Sequence, residues 1–441
     1  MKKLLSSVLA VLLCVSLCAC AGVPKIDLPP LPTADPAPET VTAAPTPTPT
    51  PAPTAAPVPE EGQSVPAEGL KGSVIVSNKR TEKDAYDPQS GELLILRFSY
   101  DTPTVIIEEN PEAAVKINEF IGLQEEAFYT GEDYGDGYGT GYNNMLTLAE
   151  DNFNYYASQE NMEYAPLELS SALSVDVLRN DARVLVLAYN ESSYTGGAHG
   201  MYSERTYCFD PATGEQLTLA NISADRAGLR EFLNGKLLQI AQTDADIQER
   251  TQGFIDPDAV DTTLGALLRD GSWYFDYDGM VVFSDLYEIS SYAAGIISFR
   301  IPYAELEGHI DSRFFPEKGT ASGSFRALSA EDMTDGSTQI VDMLKVSGEG
   351  QTVYLEAEGE VRDVKITSVA YSGYFYDLAQ LWSCSSLKDS ALQLVTDIPD
   401  GMPNLKITWR DADGQQARYL TQSGEDGSLI LMPVDSVKAV G

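Results

Sequence analysis

Apolar residues run almost unbroken from Leu4 to Cys18, lose all pattern between Ala21 and Leu70, and return from Gly72 in short periodic runs. Val74–Val76 and Leu93–Phe98 read as strands. Asn110-Pro111 then offers a cap and a first-turn proline, and Ile117, Phe120, Ile121 and Phe128 follow at helical spacing with Asn118 among them. A second helix is expected over Met145–Tyr156. Strands are expected at Leu173–Leu178, Val184–Tyr189, Ser203–Phe209 and Gln216–Leu219, the last two around the turn Asp210-Pro211-Ala212-Thr213-Gly214. Ser223 is placed to cap a third helix carrying Leu229, Phe232, Leu233, Leu237 and Ile240. A shorter helix is expected near Thr262–Leu268, and strands at Trp273–Phe275, Met280–Phe283 and Ile296–Ile301. Pro302 then opens a final turn through Leu306. Helices and strands mix without regular alternation, which predicts an α+β fold.

The pattern changes again beyond Phe315. Residues 315–345 are polar, with one short helical candidate at Ile340–Leu344. From Thr352 only short strands are expected, at Val353–Ala357, Val361–Tyr371, Ala391–Thr396, Leu405–Trp409, Ala417–Leu420 and Leu429–Met432. Asp-Gly pairs at 400–401, 413–414 and 426–427 supply turns between them. Regular short strands with such turns predict a small β-sandwich. The expected organisation is a mixed region over 71–315, with halves at about 71–190 and 191–312. A linker over 316–350 and a β-rich region over 351–441 follow.

The first apolar run is preceded by Met1-Lys2-Lys3 and is too short for a membrane-spanning helix, which needs about 20 apolar residues. It has the layout of a secretory signal. Leu17-Cys18-Ala19-Cys20 resembles the lipobox of bacterial lipoproteins, so residues 1–19 are expected to be removed and Cys20 to carry the lipid. Two acyl chains suffice for a stable membrane anchor. An ordinary signal peptide cut near Ala21 or Gly22 is the plainer alternative. Residues 21–70 hold fourteen of the 25 prolines, including Pro45-Thr46-Pro47-Thr48-Pro49-Thr50-Pro51. Such a segment cannot bury a core and is expected to be an extended tether. At ~3.1 Å per residue it would reach on the order of 150 Å. Of the five cysteines only Cys208 and Cys384 remain beyond Cys20, and two separate buried thiols are expected.

Charge narrows the partners. The net charge is −37, of which −34 lies on residues 71–441. Nucleic acids and anionic lipid surfaces are disfavoured, because both need clusters of lysine and arginine. A cationic partner is favoured, alongside the plainer reading of solubility alone.

One constellation carries more information. Tyr194-Thr195-Gly196-Gly197-Ala198-His199-Gly200 joins two expected strands, and Asp210-Pro211-Ala212-Thr213-Gly214-Glu215 follows the second. Downstream come Leu286-Tyr287-Glu288-Ile289, Tyr292-Ala293-Ala294-Gly295 and Ile301-Pro302-Tyr303-Ala304-Glu305-Leu306. These resemble the extracellular domain of the RsiV anti-sigma factors, which also forms the non-catalytic half of PdaC-type peptidoglycan deacetylases. Glu215 replaces the basic or polar residue usual after the turn glycine. The resemblance covers about residues 72–312 and implies binding in the cell envelope, since the anti-sigma relatives recognise lysozyme there. Only three residues precede the apolar leader and no deacetylase domain is recognised. A surface binder is therefore expected rather than a signal transducer or a deacetylase.

The resemblance and the residue types together nominate Tyr194, Gly196, Gly197, His199, Tyr287 and Tyr292 as ligand-binding candidates. Adjacent glycines permit positive φ. His199 could instead simply hydrogen-bond its own turn, the two tyrosines could be core residues, and Glu288 could satisfy a buried polar group. Glu132, Asp133 and Asp136 lie in a tyrosine- and glycine-rich loop whose spacing does not match an EF-hand, so calcium is a minor reading. With His199 and His309 the sole histidines, a His-rich zinc site is not expected, and no cofactor is. Ser385-Ser386-Leu387-Lys388 matches Ser-x-x-Lys, but its companion motifs are missing. The expected function is non-enzymatic binding of a lysozyme-like protein or a peptidoglycan fragment at the membrane's outer face. A wall hydrolase using paired carboxylates and a structural scaffold are the alternatives.

Overall fold

The computed structural model describes residues 72–434, apart from 132–138, 159–166, 253–254, 256–258, 318–320, 334–338, 347–349, 373, 399–401, 412–413 and 423–427. Cys20, the tether, the loop acids Glu132, Asp133 and Asp136, and most of the expected Asp-Gly turns therefore lie outside the described residues.

β1 (Val74–Glu82), β2 (Ala85–Tyr86) and β3 (Leu94–Ile107) lead into α1 (Pro111–Thr130) and α2 (Tyr142–Ala157). β4 (Leu169–Asn180), β5 (Leu185–Tyr194), β6 (Met201–Phe209) and β7 (Gln216–Leu217) follow, then α3 (Arg226–Thr243), α4 (Ala245–Thr251) and α5 (Val260–Ala266). β8 (Trp273–Phe275), β9 (Gly279–Phe283), β10 (Ser298–Pro302) and α6 (Tyr303–Leu306) complete an α+β region. Beyond it, β11 (Ser324–Ser329), β12 (Gln339–Lys345), β13 (Gln351–Glu358), β14 (Glu360–Tyr371), β15 (Phe375–Lys388), β16 (Ser390–Thr396), β17 (Leu405–Asp411), β18 (Gly414–Gln422) and β19 (Leu429–Pro433) include no α-helix among the described residues.

The helices begin where their sequences provide a donor sink. Asn110 caps α1 by accepting the Ala113 N–H at 3.3 Å, with Pro111 in the first turn. Asn118 sits on the same helix without breaking its buried face, because its side chain closes both backbone groups of Val105 at 2.8 Å. α3 is capped by Asp225, which accepts the Gly228 N–H at 3.0 Å, rather than by Ser223. Ser223 Oγ instead accepts the Asp225 N–H, bracing the cap one step earlier.

The main sheet runs β19–β18–β17–β14–β15–β1–β3–β4–β5–β6–β7, with β2 beside β3. It is antiparallel throughout except where β3 and β4 run parallel. One face of its central part packs α1 and α2 through Phe98, Ile117, Phe128 and Leu187. The other face packs α3 and the three-stranded sheet β10–β9–β8 through Val186, Leu233, Phe275 and Phe299. Towards β17 the sheet faces a second one, β11–β13–β16–β12, across Leu355, Ile366, Trp382 and Leu394. The C-terminal strands are thus one half of a sandwich whose larger sheet continues into the α+β region.

Two expectations change here. The stretch 316–350, expected as a linker, holds β11 and β12, and Ile340–Leu344 lies in β12 rather than in a helix. β12 pairs in parallel with β16, a partner about fifty residues away that local spacing does not reveal. β15, which no hydrophobic periodicity announced, sits between β1 and β14. The Ser385–Lys388 motif lies in it, where residues three apart point to opposite faces, so the two do not form a catalytic pair. Cys208 and Cys384 are free, buried and in different core clusters.

Candidate functional site

β5 and β6 pair as far as Ser193 opposite Met201, so the seven residues 194–200 close the hairpin. Gly196 and Gly197 both take φ of +101°, a backbone conformation that L side chains rarely adopt. Tyr194 Oη donates to the Gly197 carbonyl at 3.1 Å and ties the turn to its own strand. Gly200 approaches the Ser193 carbonyl so closely that a Cβ there would lie 2.8 Å from it.

The turn delivers His199 to an exposed position flat against Tyr292, with ring centroids 4.0 Å apart and planes 24° from parallel. The Gly200 carbonyl fixes both rings. It lies 2.9 Å from His199 Nδ1 and accepts Tyr292 Oη, also at 2.9 Å. Because the partner is a carbonyl, Nδ1 carries the proton and Nε2 is left for a ligand. Tyr287, 55% exposed, adds a third ring 5.8 Å from Tyr292. His199 therefore hydrogen-bonds its own turn and also forms part of an exposed shelf; the two readings coexist.

Two arginines hold the far side of the shelf. Arg269 grips Glu288 with both terminal nitrogens, at 2.5 and 3.0 Å, and Glu288 accepts the Asp285 N–H at 2.8 Å. This closes the turn in which Tyr287 takes φ of +63°, a strained value for an aromatic residue. Arg250 donates to the carbonyls of Ala294 and Ile296 at 2.6 and 2.7 Å and pins the turn after Tyr292.

Carboxylates lie beside the shelf. Tyr202 Oη donates to Asn190 Oδ1 at 2.8 Å, and Asn190 Nδ2 donates to Asp176 at 3.0 Å. Glu204 follows Tyr202 on the same strand face. Burial raises the pKa of Asp176, Glu204 and Asp285, and neighbouring carboxylates raise each further: Asp101 and Asp377 for Asp176, Asp176 and Asp285 for Glu204, and Glu288 for Asp285. Asp176 and Glu204 form no ion pair among the described residues, and Asp285 Oδ1 is buried without a hydrogen-bond partner. The patch therefore gains by receiving positive charge.

All six candidates nominated from sequence meet in this one place. Arg250, Arg269, Gly200 and the Asp176–Asn190–Tyr202 chain were not foreseen. Their partners lie far away in sequence, and no spacing rule links Arg250 with Ala294. Among the described residues, no three His, Cys, Asp or Glu side chains are grouped to hold a metal.

Residues 91–202 match the family model described as deacetylase PdaC, and residues 222–304 match that of DUF3298, a protein of unknown function. Over this stretch the chain is similar to PdaC and DUF3298 proteins. The shelf spans both matches: His199 lies near the end of the PdaC match, and Tyr287 and Tyr292 lie in the DUF3298 match. A solved DUF3298 family member from Bacteroides fragilis is 18% identical with a TM-score of 0.40, over 55% of this chain and 96% of that one. A DUF3298 family protein from Pseudomonas aeruginosa is 18% identical with a TM-score of 0.34, over 55% and 97%. No curated protein matches the chain.

Proposed function

We propose that the protein is a non-catalytic binding lipoprotein at the outer face of the bacterial membrane, whose His199–Tyr292–Tyr287 shelf captures a cationic, lysozyme-like protein. One observation carries this reading: the exposed stacked rings lie beside Asp176 and Glu204, carboxylates that form no ion pair among the described residues. Met201, 48% exposed, and Tyr202, 37% exposed, belong to the strand that leaves the same turn. Aromatic and methionine side chains are the residue types that concentrate at protein interfaces. Lipidation of Cys20 would anchor the chain at that membrane. Among the described residues no helix is long and apolar enough to cross it.

Binding of a cationic lysozyme by the full chain is expected at low ionic strength and should weaken as salt screens the carboxylates over a Debye length of ~8 Å. Tyr287→Ala should weaken it about tenfold or more, as truncation of an interface anchor does. Absence of binding at low salt in calorimetry would overturn the reading. The flat rings also suit stacking on a sugar, so recovery of binding with soluble peptidoglycan fragments alone would move the assignment to a wall glycan.

A further inference from the structure

Away from the shelf, β14 crosses the end of β4 where three polar side chains are buried together. Lys365 is the only buried lysine among the described residues, and Asp363 and Asn180 beside it are 3% and 0% exposed. Lys365 Nζ donates to Asp363 Oδ2 at 2.9 Å and to the Leu178 carbonyl at 3.0 Å. The other oxygen of Asp363 accepts the Asn180 N–H at 3.2 Å. One carboxyl group thus joins the lysine amine to the asparagine. Ser383 stands opposite Lys365 in the β14–β15 pairing, and its Oγ accepts Asn180 Nδ2 at 2.9 Å. The asparagine amide therefore reaches the cross-strand neighbour of the lysine.

A purely structural seam does not call for this arrangement. Lysine is rarely buried, and a buried ion pair gives up the hydration of both charges. The Asn180 amide is satisfied on one side only. Its Nδ2 donates to Ser383 and to the Val74 carbonyl at 3.1 Å, while its Oδ1 is buried with no hydrogen-bond partner. Asp363 takes φ of +47°, a left-handed conformation unusual for a residue with a side chain, and strain of that kind gathers at functional sites.

We propose that Lys365 and Asn180 form an intramolecular isopeptide bond, with Asp363 as the proton carrier. Lys365 Nζ attacks Asn180 Cγ. An Nζ–Cγ bond forms, the Cγ–Nδ2 bond breaks, and Nδ2 leaves as ammonia, so neither an oxidant nor a second substrate is needed. The attack requires a neutral amine. Burial raises the pKa of Asp363 against the pull of Lys365 and Arg410, and Asp181 raises it further. The carboxyl is thus fitted to take the lysine proton across their 2.9 Å contact, which removes two charges from the interior. Protonated, it supplies the donor that Oδ1 lacks as negative charge develops there. It then gives its proton to the departing Nδ2 and takes one from Nζ, ending protonated as ammonia leaves. The flexible four-carbon stem of the lysine lets Nζ exchange the Leu178 carbonyl for Cγ, and burial keeps water from the reacting carbon. The bond fastens the C-terminal strands to the α+β region covalently, in a chain whose Cys208 and Cys384 stay unpaired.

Mass spectrometry of the full chain, denatured and digested with trypsin, tests the proposal. Trypsin does not cut after an acylated lysine. Residues 180–183 are therefore expected joined to residues 363–388 in one branched peptide, lighter by one ammonia than the two together. Fragmentation should place the branch at Lys365. Two linear peptides at full mass, with cleavage after Lys365, would overturn the proposal. Loss of ammonia from residues 180–183 without a branch would mark a cyclic imide at Asn180 and would overturn it as well. Lys365→Met should give linear peptides only. Asp363→Asn keeps both reacting groups and should slow the linkage about a hundredfold or more, the usual weight of a proton-transferring side chain. Linkage at the parent rate in that variant would overturn the role given to Asp363. If either variant fails to fold, the digest of the unaltered chain still decides whether the bond exists.

Discussion

Gln380 completes both backbone hydrogen bonds of Val177, a residue 203 positions earlier: it accepts the Val177 N–H at 2.7 Å and donates to the Val177 carbonyl at 3.4 Å. The reason lies in the strand order. β3 pairs with β4 only from Leu96 to Tyr100 and then turns away with β1, which leaves the second half of β4 without a strand partner on that edge. Side chains close the gap. Asn78 and Asp101 bond the carbonyl and N–H of Val175, Lys365 bonds the Leu178 carbonyl, and Asp363 accepts the Asn180 N–H. The C-terminal strands are thereby joined to the α+β region through hydrogen bonds as well as apolar contact.

Gln380→Ala should therefore leave two buried backbone groups unsatisfied and cost about 2–6 kcal/mol, since each such group costs about 1–3 kcal/mol. Urea unfolding followed by tryptophan fluorescence would show a lower midpoint with the slope unchanged. A midpoint within error of the parent would show that the seam contributes nothing.

The same seam explains what the sequence hid. α1 was legible because its cap, its first-turn proline and its buried Ile117, Ile121 and Phe128 all agree. β15 was not, because Asp377, Gln380, Ser383, Ser385 and Ser386 interrupt its apolar residues. Ser383 bonds Asn180, Ser385 bonds Val74, and Gln380 bonds Val177. A strand that supplies polar side chains to its neighbours loses the alternation by which strands are recognised. β12 failed for a different reason: Ile340 and Leu344 stand four apart, which imitates a helix face. At the shelf, the residues carrying special backbone or aromatic chemistry were legible. The arginines bracing them were not, since a surface arginine looks the same whether or not a distant carbonyl awaits it.

Gly214 offers a test of the turn that follows the hairpin. It takes φ of +71°, and a Cβ there would lie 2.5 Å from the Ala113 carbonyl oxygen in the first turn of α1. Gly214→Ala is expected to destabilise the protein by more than the ~1–2 kcal/mol of the left-handed backbone alone, because the helix must also move. Gly91→Ala serves as the control, with φ of +73° and nothing within 4 Å of the added carbon. Equal melting temperatures for the two variants would refute the contact.

Cys208 and Cys384 should be silent towards thiol reagents. Burial pushes the Cys208 thiol up to about 12 and the Cys384 thiol well above its usual range, so neither forms thiolate at neutral pH. Mass spectrometry after treatment with N-ethylmaleimide should find both unlabelled in the native protein and both labelled in urea. Rapid native labelling of either would contradict its burial.

Stability should rise as the solution is made mildly acidic. Burial holds the carboxyls of Asp101, Asp176, Glu204, Asp285 and Asp363 above their ordinary values, and for Asp363 it outweighs the attraction of Lys365. Between the ordinary carboxylate value and each raised one, the folded protein binds more protons than the unfolded chain. Stability from these groups is therefore fully present at low pH and is lost as pH rises through the folded values. Self-repulsion in a chain of net charge −37 acts in the same direction. Asp87 and Asp332 act oppositely. Hydrogen bonds from Ser90 and Leu93 lower the first and those from Ser329 the second, so their contribution disappears below the ordinary aspartate value. The urea midpoint should climb as pH falls towards the ordinary carboxylate range and fall again below about pH 4. Asp176→Asn with Glu204→Gln should flatten the climb while preserving the acid-side fall. A midpoint that rises steadily with pH would contradict the buried carboxyl cluster.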